Sequence, residues 1–384
     1  MDERWASGDR RTTDQQRLPD ERWRHDEHRP ADRWRERTEP PRTAARALAA
    51  GAGLALLLGA KEVLARAREA DLRGEVALVT GGSRGLGLAI ARELAGQGCR
   101  VAICARDAEE LERARADLEA RGAEVLAVGC DVRDEGAVRD MVLDVQAQLG
   151  PIGILVNNAG IIQVEPVEAA TSGDFADAMA TMFFGTLYPT LAVLPGMRER
   201  RHGRIANITS IGGKVATPHM LPYDSAKFAA VGFSQGLRAE VAEDGISVTT
   251  VVPGLMNTGS FLHAEFGGDR KGEFRWFALG ASAPLVTVSA ARAARLIVTA
   301  IKRGTSDLTF PAWAALAARV AGVAPGTTAS ALSLMDRMLP DSPEFPPEPA
   351  PGAEVDAAMD APFFDAATAL GRAAAEEYNE QPGT

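Results

Sequence analysis

Tyr223 and Lys227 stand four residues apart in the run YDSAKFAAVGF, and Ser210 precedes the tyrosine by thirteen residues. Four residues is about one helical turn, so on a helix the phenol and the ammonium share a face. A free phenol titrates near ~10 and is a poor base at neutral pH. A cation beside it favours the phenolate and brings that value down. A serine hydroxyl in reach can hold the oxygen of a reacting group while the phenol passes it a proton. The spacing alone is common in helices whose tyrosine is core and whose lysine is solvated. Its weight comes from the elements around it.

Those elements are legible from Gly74 onward. Strand-like apolar runs fall at 76–80, 100–104, 124–129, 154–157, 204–208 and 246–252, with a shorter one at 307–310. Between them lie segments such as DAEELERARADLEARG and DEGAVRDMVLDVQAQLG, with apolar residues three and four apart, and a further helix is expected over 289–303. Strand–helix alternation with continuously apolar strands predicts an α/β fold: a doubly wound parallel sheet of about seven strands with helices on both faces.

The first strand runs straight into TGGSRGLGLAIARELAGQG, which sets Gly81, Gly85 and Gly87 at Gly-x-x-x-Gly-x-Gly spacing. Glycines there allow a tight turn and close backbone approach to a pyrophosphate, and the helix that follows aims its N–H groups at the anion. The strand before, the helix after and a second strand within about thirty residues are the context this motif requires. The second strand ends at Ala105 and Arg106, where an acid would bind the ribose hydroxyls of NAD and repel a 2′-phosphate. Arg84 lies in the glycine loop itself. Two guanidinium groups with no opposing acid suit a phosphate, so NADP (NADPH) is expected over NAD. The competing reading pairs Arg106 with Asp107 or Glu109 at the surface.

Together these motifs resemble the short-chain dehydrogenase/reductase family over roughly residues 74–310. The resemblance implies a Rossmann-type sheet and hydride exchange between a nicotinamide and a carbonyl or alcohol carbon. TGGSRGLG is similar to the family's cofactor loop, implying cofactor contacts at Gly81, Ser83, Arg84, Gly85, Leu86 and Gly87, with Arg106 beyond the second strand. CDVRD places an adenine contact on Asp131 and the backbone of Val132. NNAG resembles the motif after the fourth strand, so Asn158, Ala159 and Gly160 would line the pocket. GRIANITS ends in Ser210 where the family has its serine, and YDSAK supplies Tyr223 as proton donor or acceptor and Lys227 as holder of the nicotinamide ribose. PGLMNT resembles the segment of Pro253, Gly254 and Thr258, whose threonine contacts the carboxamide. One position departs: where the family has an asparagine that helps hold a proton-relaying water, the run TMFFG puts Met182, whose thioether donates no hydrogen bond. Two functions follow. One is an NADP-dependent carbonyl reductase or alcohol dehydrogenase. The other is an NADP-binding scaffold or redox sensor with impaired catalysis.

Phe261, Phe266, Phe274, Trp276 and Phe277 crowd seventeen residues after Thr258. They read either as an apolar lid, which implies a hydrophobic carbonyl or alcohol substrate, or as packing against AALAARVAGVA at 314–324 or a subunit neighbour. Residues 313–340 read as an apolar helical extension.

The ends differ from the body. Residues 1–42 hold eleven acids and eleven bases and few aliphatics, so disorder is expected there. Within 43–71, the uncharged run 47–60 would be about 21 Å long as a helix, short of the ~30 Å hydrocarbon core. It reads as a helix lying on a membrane, a short anchor, or a packing helix. Residues 341–384 hold ten acids and one base and read as a poorly ordered, Pro-rich acidic extension outside the NADP-binding domain at 72–312. The net charge of −10 thus sits largely in that tail. With no basic face, nucleic acid is not expected as a partner. Cys99, Cys104 and Cys130 read as small buried hydrophobes in a reducing cytoplasm, and His25 and His28 lack companions for a metal. The family resemblance implies a homodimer or homotetramer.

Overall fold

A computed structural model describes residues 69–381 except Leu285 and Asp360. The arm at 1–42, the apolar run at 47–60 and the pair His25 and His28 lie outside the described residues. Seven strands form the main sheet: β1 (Val76–Thr80), β2 (Arg100–Ala105), β3 (Val125–Gly129), β4 (Ile152–Asn157), β5 (Gly203–Ile208), β6 (Ile246–Pro253) and β7 (Asp307–Phe310). All are parallel, and their order is β3-β2-β1-β4-β5-β6-β7. The chain therefore reverses direction across the sheet between β1 and β4. The crevice beyond the strand tips at such a switch point is where open α/β sheets bind ligands.

The helices that cover the sheet are α1 (Gly85–Gly96), α2 (Ala108–Ala120), α3 (Glu135–Leu149), α4 (Gly185–Arg200), α5 (Leu221–Glu240) and α7 (Ala290–Arg303). A further helix, α6 (Arg270–Ser282), lies outside those layers. Leu88, Ile90 and Leu94 of α1 meet Ile297 and Ile301 of α7 and Leu111 and Leu118 of α2 on one face. Val138, Met141 and Val145 of α3 meet Val193, Leu194 and Met197 of α4 and Leu237 of α5 on the other. Capping follows the sequence: the Asp107 and Asp134 carboxylates accept from the backbone N–H groups of Glu110 and Ala137, three residues into α2 and α3. The α1 N-terminus differs, because Arg84 makes no side-chain cap there. Its first N–H, that of Gly85, donates instead to the Tyr378 carbonyl at 2.8 Å.

The helical run Ser172–Arg200 is long and apolar enough to cross a membrane by composition. Its α4 part is nonetheless a core helix, packed through Val193, Leu194 and Met197 into the second layer. Within that run, Met179–Phe184 adopt a π-helical turn. Such turns insert an extra residue and re-aim the side chains around it.

The acidic tail departs from its composition. It folds onto the same compact unit as the sheet. Ala350–Pro351 pair antiparallel with Glu265–Phe266, and a last helix, α8 (Ala369–Glu377), follows. Gly259 (φ +85°) allows this approach, since a Cβ there would lie 2.5 Å from the Ala375 backbone. The tail buries Ala350, Val355, Phe364, Ala374, Ala375 and Tyr378, apolar groups that its charge and proline content obscured.

Candidate active site

The glycine loop joins β1 to α1. Gly81 and Gly85 take positive φ (+61° and +55°), and a Cβ on Gly87 would sit 1.9 Å from the Gly81 carbonyl oxygen. No other residue type fits that backbone without movement. Across the switch point, Asn158 Nδ2 donates to the Thr80 and Gly81 carbonyls at 3.1 and 3.0 Å, and the backbone N–H groups of Asn158 and Ala159 donate to Thr80 Oγ1. One strand further, Asn157 Nδ2 donates to Thr190 Oγ1 and Asn207 Oδ1 at 2.9 and 2.8 Å, tying β4 to α4 and β5. These bonds hold the tips of β1 and β4 together at the mouth of a cleft of about 850 Å³.

The cleft is lined by Gly81, Ser83, Arg84, Leu86 and Gly87 together with Arg106, Asp131, Val132, Asn158, Ala159 and Gly160. Ser210, Tyr223, Lys227, Pro253, Gly254 and Thr258 line the same cleft. The structure thus brings nearly every residue singled out in the sequence to one place. Gly85 is the exception in kind, because the space beside it is taken by Glu380.

Tyr223 and Lys227 both lie on α5, with Lys227 Nζ 5.6 Å from the phenol ring centroid. Nζ donates to the Ile208 carbonyl oxygen at 3.0 Å at the end of β5. Ser210 follows that strand, and its Oγ accepts from the Gly212 backbone N–H at 3.0 Å. Burial pushes the Tyr223 phenol up to about 12; the Ser210 hydroxyl pulls it back and the Asp224 carboxylate pushes it further up. Burial also pulls Lys227 down to about 8. Asp224 is itself buried and pushed up to about 8, with Oδ2 accepting from the Thr217 N–H and Oδ1 unpartnered.

The model of the short chain dehydrogenase family matches residues 75–265. A dehydrogenase/reductase SDR family protein 7-like of Anopheles gambiae is 38% identical over 244 residues, which cover 62% of this chain and 75% of that one. The chain belongs to the short-chain dehydrogenase/reductase family. Gluconate 5-dehydrogenase of Gluconobacter oxydans is 36% identical over 188 residues, 49% of this chain and 73% of that one. An actinorhodin polyketide ketoreductase variant solved with NADPH superposes with a TM-score of 0.54 at 32% identity, covering 61% of this chain and 95% of that chain. Family membership makes the chain an oxidoreductase of the NAD(P)-using kind. The residues present fit such a cofactor: a glycine loop built for close backbone approach, a helix start with no side-chain cap, and a cleft large enough to hold it.

Met182 stands beside the phenol as expected, while the readings of Arg84 and of the aromatic cluster change. Met182 is buried in the π-helical turn and packs with Ala178 and Ala226, with Tyr223 against them. Its backbone carbonyl accepts from Thr186 Oγ1 at 2.8 Å, so any water at this position would meet a carbonyl already sharing one of its two lone pairs and a thioether that donates nothing.

Arg84 is not unopposed. Its Nη1 donates to Glu110 Oε1 at 2.6 Å, and its Nε lies 3.3 Å from Glu380 Oε2. Ser83 Oγ also donates to Glu110 Oε2, at 3.0 Å. The sequence hid both acids: Glu110 reads as a first-turn helix acid, and Glu380 is nearly three hundred residues away. Arg106 is the exposed guanidinium of the pair, and among the described residues it has no carboxylate partner, Asp107 and Glu109 included.

The aromatic cluster does not line the cleft. Phe261, Phe266, Phe274 and Phe277 are buried with Val164, Ala350, Val355, Phe364 and Ala375. Trp276 donates from Nε1 to Glu273 Oε2 at 2.6 Å. The rings pack against the folded tail, a partner the sequence did not suggest. The apolar side chains that do line the cleft include Ile161, Ile162 and Met256.

Proposed function

We propose that this chain interconverts a carbonyl and an alcohol on a small molecule, with NADPH and NADP preferred over their unphosphorylated counterparts. What carries the reading is that Ser210, Tyr223 and Lys227 line the same cleft as the glycine loop. In reduction, Ser210 donates a hydrogen bond to the substrate oxygen and Tyr223 gives that oxygen its proton; in oxidation the proton returns to Tyr223. With the phenol held up at about 12, it is protonated at neutral pH, the form that serves a reductase. The bound nicotinamide supplies or accepts the hydride at the neighbouring carbon. Lys227 places its charge beside the phenol and would hold the nicotinamide ribose.

For the cofactor, Gly81, Ser83, Gly85, Leu86 and Gly87 would seat the pyrophosphate end. Asp131 and the Val132 backbone would meet the adenine, Asn158, Ala159 and Gly160 the ribose side, and Pro253, Gly254 and Thr258 the carboxamide. The NADP preference now rests chiefly on Arg106, which has no carboxylate partner among the described residues, with Arg84 shared between two acids. Ile161, Ile162 and Met256 supply the apolar lining for a hydrophobic part of the substrate.

A scaffold or sensor that binds NADP without turnover is favoured by one observation, the burial of a thioether at Met182 in the relay position. One experiment separates the two. Purified full-length chain is given NADPH and a panel of aldehydes and ketones, and loss of NADPH absorbance is followed. Turnover of any panel member supports the enzyme; NADPH binding with no turnover supports the sensor.

A further inference from the structure

The last described residues of the acidic tail enter the glycine loop. The backbone N–H of Gly85, the first residue of α1, donates to the Tyr378 carbonyl at 2.8 Å. Asn379 Nδ2 donates to the Ser83 and Glu110 carbonyls at 2.9 and 3.1 Å, while Asn379 Oδ1 accepts from Arg113 Nε at 2.8 Å. Asn379 turns there with φ +57°. The Arg92 guanidinium sits 5.2 Å from the Tyr378 ring centroid, and the ring itself joins the α1 side of the core.

Glu380 completes the insertion. It is 4% exposed, and its carboxylate lines the cleft with the loop glycines, Tyr223 and Lys227. A Cβ on Gly85 would lie 2.3 Å from Glu380 Oε1, so the carboxylate rests against the loop where α1 begins. Oε2 faces Arg84 Nε at 3.3 Å and His263 Nε2 at 3.5 Å and has no hydrogen-bond partner. The backbone carbonyl of Glu380 accepts from or faces the same His263 nitrogen at 2.9 Å. A helix N-terminus with no side-chain cap, a glycine approach and a guanidinium beside it is a seat for a phosphate. Here a carboxylate of the same chain sits in it.

We infer that Tyr378–Glu380 is an internal ligand of the cofactor's phosphate seat, with Glu380 standing in for a cofactor phosphate, so that the dinucleotide binds only as this tail tip withdraws. The inference rests on the cofactor reading above. A carboxylate and a phosphate cannot share that seat, and each repels the other's charge. Withdrawal also releases Arg84 from one of its two acids. The tail tip thereby taxes cofactor affinity by the fraction of time it is docked.

The test measures NADPH binding by calorimetry on the full chain, on Glu380→Gln and on a chain ending at Glu377. Hydrogen exchange of residues 369–381 is followed with and without NADPH. The expected result is about tenfold tighter binding for both variants, in the range usual for coupled sites. The tail amides of the full chain should also lose protection when NADPH is added. Glu380→Gln keeps the tail's shape and its folded anchors, so it remains informative if the truncation fails to fold. Equal or weaker binding by Glu380→Gln, with tail amides better protected by NADPH, would mean the tail completes the site and would overturn this inference alone. Failure of all three proteins to bind NADPH or NADH would overturn the cofactor reading and this inference with it.

Discussion

Met182 Cγ and Lys227 Nζ face the same small space: each lies within 3.7 Å of where a side chain on Gly160 would begin. The ammonium that stands beside the phenol thus looks onto a thioether where the family's pattern has an asparagine. A proton leaving Tyr223 has no side-chain acceptor at that position, since the thioether is at best a weak one.

Met182→Asn is expected to raise kcat severalfold while leaving the cofactor Kd unchanged. It should cost about 1–3 kcal/mol of stability if the new amide is left unpaired, because the site is buried. Steady-state kinetics beside thermal unfolding check this. An unchanged kcat in a folded variant would mean that protons leave by another route.

The titration of the phenol sets opposite pH dependences for the two directions. Tyr223 is raised to about 12, so at neutral pH it is protonated and ready to donate. Carbonyl reduction is expected to be flat through neutral pH and to fall in alkali, and alcohol oxidation to rise with pH over the same range. Initial rates in both directions across a pH series test it. Oxidation that peaks at neutral pH would show that the bound state brings the phenol far below its value here.

Asp224 gives a stability test with a definite sign. Burial raises its folded value to about 8, from the 3.8 of a free aspartic acid. The stabilising contribution of the neutral acid is complete below the unfolded value and is lost as pH rises through about 8. Asp224→Asn should therefore raise the melting temperature more at pH 9 than at pH 5, by roughly 2–4 °C for each kcal/mol recovered. Removing the charge also takes away one of the causes that raise Tyr223, so alcohol oxidation should begin at lower pH. Melting curves that shift equally at both pH values would contradict the assignment.

The arginines divide the cofactor preference unequally. Arg106→Asp is expected to lower the NADPH to NADH ratio of kcat/KM by about tenfold or more, since a like charge then faces the 2′-phosphate. Glu110→Gln removes the closest acid from Arg84, 2.6 Å away, and should move the ratio the other way. A ratio indifferent to Arg106→Asp would remove the basis for NADP.

The main sheet was legible because its strands are short continuous apolar runs: 76–80 and 307–310 match their observed ends, and the others shift by a residue or two. The glycine loop was legible for the same local reason, since Gly81, Gly85 and Gly87 each answer to a backbone need within one turn. The tail was not. Glu380 reaches Arg84 through an ion pair and Asn379 reaches Ser83 across 296 residues, and nothing in a Pro-rich acidic stretch marks such contacts. The aromatic cluster failed for a related reason: Phe261 and Phe274 announce burial, but Phe364, the ring that packs on Phe274, lies in that same tail.

The central claim is that Tyr223 carries the proton, and replacing it tests that most directly. Tyr223→Phe keeps the ring and its packing and removes only the hydroxyl. On a carbonyl substrate found by the panel, kcat is expected to fall by about 10²- to 10⁴-fold with the NADPH Kd unchanged. A variant that binds NADPH and turns over at the rate of the parent chain would contradict the account.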